Sequence, residues 1–257
     1  MSSCIPAPQL HRPVTSPHPR DLGVIVVAAG SGERFGRPEG KALVPVAGRP
    51  LVAWSLLAAD SAPSVAEIVV VTRARDLEEV ERLANGLPLV SPVTVVAGGA
   101  TRQESVRRGL AVLDRRLSLV AVHDGARPLV TSEAFERLAA RLRSDLGLAG
   151  LVAGCPSVDT LKVVGAGGQI VRTPDRSKYW CVQTPQAFRS EDLRRAHGSA
   201  AAEGFEGTDD ASLVERFGLK VAVAQVLRAN GKLTYPEDLV PIEAQLEARE
   251  REERPLA

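Results

Sequence analysis

Continuous apolar runs alternate with amphipathic stretches along most of this chain. Residues 22–29 read LGVIVVAA, an unbroken apolar run that ends against glycines. A strand with one wet face alternates apolar and polar positions. An unbroken run of this length marks a strand covered on both faces, as in a parallel sheet. Further runs at 67–72 (EIVVVT), 93–97 (VTVVA), 119–122 (LVAV), 148–153 and 219–224 (LKVAVA) predict five more strands. Between them, 50–59, 76–84, 102–115, 132–143 and 190–202 carry helical patterns. This alternation predicts an α/β fold of the doubly wound, Rossmann-like kind, with ligands at the carboxyl ends of the strands.

One stretch breaks the rhythm. Residues 156–181 hold two strand-like pieces, TLKVV and QIVRT, around Gly165-Ala166-Gly167-Gly168. That is a hairpin signal, and it predicts a protruding β-arm. Residues 236–254 read as a charged helix with a solvated face, so 246–257 are expected to be its end and a tail. The first 20 residues hold five prolines and two histidines but no apolar signal core, and read as a disordered tail. What remains, 21–245, is expected to be a single domain, with too few residues after the last helix for another.

Composition narrows the chemistry. The 257 residues carry 32 cations and 31 anions, for a net charge of +1. A dedicated nucleic-acid binder would show a basic excess, and five Phe, two Trp and two Tyr are too few for a base-stacking platform. Cys4, Cys155 and Cys181 form no C-x-x-C, and the four histidines form no H-E-x-x-H. No apolar run nears the ~20 residues of a membrane span, so a cytoplasmic protein is expected. Only five of the cations are lysines: Lys41, Lys162, Lys178, Lys220 and Lys232. Either Lys is kept where a compact ammonium matters, or the scarcity reflects codon usage.

The first strand runs into Ala28-Ala29-Gly30-Ser31-Gly32-Glu33-Arg34-Phe35-Gly36, and Lys41 follows. Glycines placed there let backbone N–H groups approach a phosphate. Two common phosphate motifs fail. The dinucleotide fingerprint needs a third Gly where Phe35 stands. The P-loop needs a Gly in place of Phe35 and a Ser or Thr in place of Ala42. A glycine loop holding one guanidinium and one ammonium remains, and it suits a triphosphate during group transfer.

This loop, with Gly48-Arg49-Pro50-Leu51 after it, resembles the signature of the sugar-phosphate nucleotidyltransferases. Later segments narrow the resemblance: Gly98-Gly99-Ala100-Thr101-Arg102-Gln103-Glu104-Ser105-Val106, Val122-His123-Asp124-Gly125-Ala126-Arg127-Pro128, Thr184-Pro185-Gln186-Ala187-Phe188, Thr208-Asp209-Asp210-Ala211-Ser212 and Lys232-Leu233-Thr234. In this order, over about residues 22–245, they are similar to the 2-C-methyl-D-erythritol 4-phosphate cytidylyltransferase family. That resemblance implies transfer of CMP from CTP to the alcohol phosphate, with pyrophosphate released, in the non-mevalonate isoprenoid pathway. It also implies Mg²⁺, a nucleotide-diphospho-sugar transferase type of sheet, and a homodimer that exchanges the β-arm.

The resemblance implies roles residue by residue. Arg34, Lys41, Arg176 and Lys232 are the expected catalytic cations. Ala28, Ala29, Gly30, Ser31, Gly32, Gly99, Ala100, Ser105, Gly125 and Arg127 would bind CTP. Thr160, Arg176, Thr184, Thr208, Asp209 and Lys232 would hold the second substrate, and Asp124 the metal. His123 is expected to pack, and Asp210 to cap a helix. The chain departs from its relatives at Gly40, where a Pro is usual, and at Ala100 and Ala229, where acids occur. Gly40 suggests a more flexible loop. Two rival readings are a cytidylyltransferase for another polyol phosphate, such as ribitol 5-phosphate, and a non-catalytic nucleotide-binding subunit.

Overall fold

The computed structural model describes residues 19–37, 40–226 and 230–253. The expected tail and Ala229 therefore lie outside the described residues, apart from positions 19 and 20. The elements in chain order are β1 (Leu22–Val27), the short pair β2 (Pro45–Val46) and β3 (Arg49–Pro50), α1 (Leu51–Asp60) and β4 (Val65–Thr72). Next come α2 (Leu77–Gly86), β5 (Val93–Ala97), α3 (Arg102–Val112), β6 (Leu119–Asp124), α4 (Ser132–Ser144) and β7 (Gly150–Pro156). The chain ends with β8 (Val163–Val164), β9 (Ile170–Arg172), β10 (Trp180–Arg189), α5 (Ser190–Ala202), α6 (Asp210–Arg216), β11 (Val221–Ala224) and α7 (Leu239–Glu253).

Among the described residues, seven strands form one sheet in the order β11-β7-β10-β6-β1-β4-β5. Every neighbouring pair is parallel except those of β10, which runs antiparallel to both β6 and β7. The α/β expectation thus holds with one mixed strand. The apolar-run pattern does not mark β10, because its sequence WCVQTPQAFR has a Pro and two Gln and is bulged between Val182 and Gln186.

Burial follows the pleat. Val24 and Val26 of β1 join one core with Val52 and Leu56 of α1 and Phe135 and Leu138 of α4. Ile25 faces the opposite core, with Val106 and Leu110 of α3 and Leu193 of α5. Alternate residues of a strand point to opposite faces, so both layers need apolar partners, as the unbroken run required. In α4 the buried positions Ala134, Phe135, Leu138, Ala139 and Leu142 make one helical stripe.

A third cluster positions the site. Phe35 from the glycine loop, Leu51 of α1, Leu233, and Ile242 and Leu246 of α7 pack together. Burying Phe35 fastens the loop that carries Arg34. Burying Leu233 fixes the segment that carries Lys232. β8 and β9 pair as an antiparallel hairpin apart from the main sheet, as the alternating pieces predict.

Candidate active site

The carboxyl ends of β1, β4, β5 and β6 open into a cavity of about 630 Å³. Its walls include Ala28 to Ser31 after β1, Gly99, Ala100 and Ser105 after β5, and Asp124 and Gly125 at the end of β6. Lys41 and Lys232 also line it. Residues spread over 200 positions of sequence are brought together here because parallel strands end at the same edge.

The glycine loop turns through a 3-10 segment, Glu33–Phe35, entered by Gly32 at φ 76°. A side chain at Gly32 would be excluded twice, since its Cβ would also lie 2.5 Å from the Arg37 carbonyl oxygen. Arg34 stands exposed on this segment, 6.0 Å from the Tyr235 ring centre, outside the cavity wall.

The loop after β5 is braced by α3. Thr101 caps that helix, its hydroxyl accepting the Glu104 N–H at 3.1 Å. Ser105 Oγ accepts the Gly99 N–H (3.1 Å) and donates to the Thr101 carbonyl (2.9 Å). The Glu104 carboxylate accepts the Ala100 N–H at 2.8 Å. The amide donors of Gly99 and Ala100 are therefore already committed.

Asp124 is the electrostatic centre. Its Oδ2 lies 2.7 Å from Lys232 Nζ and its Oδ1 3.2 Å from Arg102 Nε. Burial alone would raise its pKa. Arg102 and Lys232 outweigh that and hold it well below the usual carboxylate range. Arg102 reaches on through Nη1 to Asp210 Oδ2 at 2.7 Å, and Asp210 Oδ1 meets His197 Nε2 at 2.9 Å. Lys41 donates to the Leu233 carbonyl. Burial, with Lys232 and Arg34 nearby, lowers the Lys41 pKa from 10.5 to about 8.

Behind Asp124 runs a buried polar chain. The Asp124 N–H donates to Thr184 Oγ1 (3.0 Å), and that hydroxyl meets His123 Nδ1 at 3.1 Å. His123 Nε2 lies 3.3 Å from the Arg127 carbonyl. A carbonyl can only accept, so the ring donates from Nε2 and accepts the Thr184 proton on Nδ1. Full burial lowers the His123 pKa to about 4, which keeps the ring neutral and fits this tautomer. Arg127 Nη1 donates to the Asn230 carbonyl at 2.7 Å, and Asn230 Nδ2 to the Thr184 carbonyl at 2.7 Å.

Several expected site residues stand elsewhere. Thr184 and Arg127 belong to this polar chain behind the cavity and do not line it. Asp209, not Asp210, caps α6, accepting the Ser212 N–H at 2.9 Å, and its other oxygen accepts from Gln186 Nε2 at 2.8 Å. Asp210 instead sits buried in the ion pair with Arg102, because a carboxylate one residue past the cap points into the α3–α5 contact. Thr208 is exposed beside the cap. Thr160 and Arg176 lie exposed on the arm, where Arg176 Nη1 donates to the Val158 carbonyl at 2.7 Å. Among the described residues, three cavity cations were not expected from the sequence: Arg73 and Arg75 just past β4, and Arg102 at the start of α3. Their signal was position, since each follows a strand's carboxyl end directly or after a short loop.

Among the described residues, no helix is long and apolar enough to cross a membrane. A family model for 2-C-methyl-D-erythritol 4-phosphate cytidylyltransferase (IspD) matches residues 22–248. The cytidylyltransferase of that name from Synechococcus elongatus is 42% identical over 229 residues, covering 89% of this chain and 97% of its own. The one from Parasynechococcus marenigrum is 44% identical over 231 residues, covering 90% and 100%. Among solved structures, the 4-diphosphocytidyl-2C-methyl-D-erythritol synthase of Anaerococcus prevotii superposes with a TM-score of 0.77 at 29% identity, covering 88% of this chain and 96% of that one. The enzyme from Thermus thermophilus gives 0.70 at 33% identity, covering 88% and 99%. The chain belongs to the 2-C-methyl-D-erythritol 4-phosphate cytidylyltransferases, nucleotidyltransferases of the non-mevalonate isoprenoid pathway.

Proposed function

We propose that the cavity takes CTP with its base toward the loop after β5 and its triphosphate along the glycine loop, beside Lys41 and Lys232. The convergence of Lys41, Lys232 and Asp124 on one cavity carries this reading. The phosphate of methylerythritol phosphate then attacks the α-phosphate of CTP in line, and pyrophosphate leaves. No protein nucleophile is needed, so the residues act by positioning and by meeting charge as it grows on phosphate oxygens. Lys41, Lys232 and Arg34 supply that charge.

Base choice follows from the committed amides of Gly99 and Ala100. With those donors taken, the loop offers acceptors, which suit the exocyclic amino group of cytosine and reject the O4 of uracil. Ala100 therefore costs no selectivity if recognition runs through the backbone.

Asp124 fits a Mg²⁺ that arrives with the triphosphate. Among the described residues no three or more His, Cys, Asp or Glu side chains gather as a resident metal cage. One carboxylate with phosphate oxygens is an ordinary Mg²⁺ set. Asp124 would hold the ion, which supplies charge neutralisation at the phosphates.

The second substrate's remaining contacts come from the arm of another subunit. Thr160 and Arg176 lie outside this chain's own cavity wall, and the arm exposes Val164, Ile170 and Val171 at 55%, 61% and 67%. Apolar surface on a projecting hairpin suits a homodimer contact. Product formation from methylerythritol phosphate with CTP, compared with UTP, ATP and ribitol 5-phosphate, tests the reading. CTP with methylerythritol phosphate is expected to dominate, and equal turnover with UTP would overturn the base assignment.

A further inference from the structure

Lys41 is preceded by Gly40, and the structure shows what lies against that glycine. Gly40 has φ 91°, a conformation closed to Pro, whose ring fixes φ near −65°. A Cβ built on Gly40 would lie 2.1 Å from Nη2 and 2.2 Å from Cζ of Arg73. The Arg73 guanidinium therefore rests directly on the Gly40 backbone. It reaches there from the first position past β4, across the mouth of the sheet edge.

Its orientation is fixed from outside the cavity. Asp76 Oδ2 lies 2.8 Å from Arg73 Nε and 2.7 Å from Nη2, and both side chains are mostly buried. That clamp holds one edge of the guanidinium, and the group also lies against Gly40. Arg73 lines the same cavity as Lys41, which follows Gly40 in sequence. Among the described residues, five cations line that cavity (Lys41, Arg73, Arg75, Arg102 and Lys232) against two acids, Glu33 and Asp124. Arg102 and Lys232 are tied to Asp124 on the β6 side. Arg73 stands on the β4 side, against the glycine loop.

We infer that Arg73 is a further phosphate-binding residue of this chain, seated by Gly40 and aimed by Asp76 at the β- and γ-phosphates of CTP. Gly40 and Arg73 form a matched pair: the guanidinium occupies the space that a side chain at position 40 would fill. Gly40 admits a cation that lies against the loop. An Arg beside phosphate oxygens makes charge-assisted hydrogen bonds, and the departing pyrophosphate carries the charge it meets.

This inference rests on the cavity being the CTP site, so the test separates the two. The variants are Arg73→Gln, Arg73→Lys and, as a reference for the site itself, Lys41→Ala. Steady-state kinetics give kcat, the KM for CTP and the KM for methylerythritol phosphate. Inorganic pyrophosphate serves as the probe for product inhibition. In Arg73→Gln the KM for CTP and the inhibition constant for pyrophosphate should each rise about tenfold, a typical loss for one charge-assisted bond. The KM for methylerythritol phosphate should stay within twofold, and Arg73→Lys should recover part of the loss. If Arg73→Gln does not fold, Arg73→Lys must still weaken pyrophosphate inhibition at least twofold. Unchanged CTP and pyrophosphate constants, or equal losses for both substrates, overturn the role of Arg73 while Lys41→Ala still abolishes activity. Full activity in Lys41→Ala overturns the reading of the cavity itself.

Discussion

Arg102 Nη1 lies 2.7 Å from the buried Asp210 carboxylate, and the same guanidinium reaches Asp124 through Nε at 3.2 Å. One side chain thus joins the first turn of α6 to the acid at the end of β6. Asp210 is almost wholly enclosed, with His197 on its other oxygen. A buried carboxylate in such a place is kept ionised by its partners, here against the cost of burial.

Replacing Asp210 by Asn removes the counter-charge on Arg102 Nη1 and leaves that guanidinium to Asp124. Removing one partner of a buried pair costs about 3 kcal/mol. Urea unfolding of Asp210→Asn should show a loss of that order. Turnover should fall further than the unfolded fraction explains, because Asp124 loses an anchored neighbour. A loss below about 0.5 kcal/mol would mean the pair is solvent-screened.

Thr184 separates two roles that its sequence position cannot. If it binds substrate, Thr184→Ser and Thr184→Val should mainly raise the KM for methylerythritol phosphate. The geometry predicts otherwise. Thr184→Val strands the Asp124 N–H and His123 Nδ1, at about 1–3 kcal/mol of stability per unmet buried group. It should lower kcat with little change in that KM, and Thr184→Ser should restore both.

Lys41 gives a pH signature. Its pKa is about 8 in the folded protein against 10.5 for free lysine. Between those values the unfolded chain binds more protons, so this group's contribution to stability rises with pH. Below pH 8 the enclosed ammonium opposes folding. Lys41→Met should therefore raise the melting temperature at pH 7, with the gap closing toward pH 10, while transfer falls about 100-fold or more. In the unsubstituted enzyme kcat/KM for CTP should decline as pH rises past about 8, since the free ammonium is lost.

The proposed sharing of the arm between subunits predicts complementation. Arg176→Ala and Lys41→Ala subunits, each inactive alone, should regain activity when mixed and reassociated. A mixed dimer would pair an intact body with an intact arm at one of its two sites. About a quarter of the unsubstituted activity is expected from random pairing of two-subunit assemblies. No recovery at all, with mixed dimers present by mass, would confine the site to one subunit.

Much of this was legible in the chain. The unbroken run of β1 forecast a two-faced sheet because every position from Leu22 to Val26 had to meet an apolar layer. Arg34, Lys41 and Asp124 stood out beside a glycine loop or a strand end. β10 was hidden because its pairing is long-range: Gln186 is placed by partners on β6 and β7, not by any local pattern. Arg73 and Arg102 were hidden for a related reason. Each looks like an ordinary surface cation until the fold brings Gly40 or Asp210 against it. The inversion of Asp209 and Asp210 turned on one residue of helix start, which local propensity does not resolve.

β10 belongs to two places at once. Trp180 pairs with Pro156 at the root of the arm, and Gln186 pairs with Val122 in the middle of the sheet, with Thr184 between them. The arm and the Asp124 chain therefore share a single length of backbone. Heredity cannot easily separate them. Inserting or deleting one residue there would turn the side chains that follow to the wrong face, so a lineage that reshapes its arm must do so ahead of Trp180 in the chain or forfeit the chemistry.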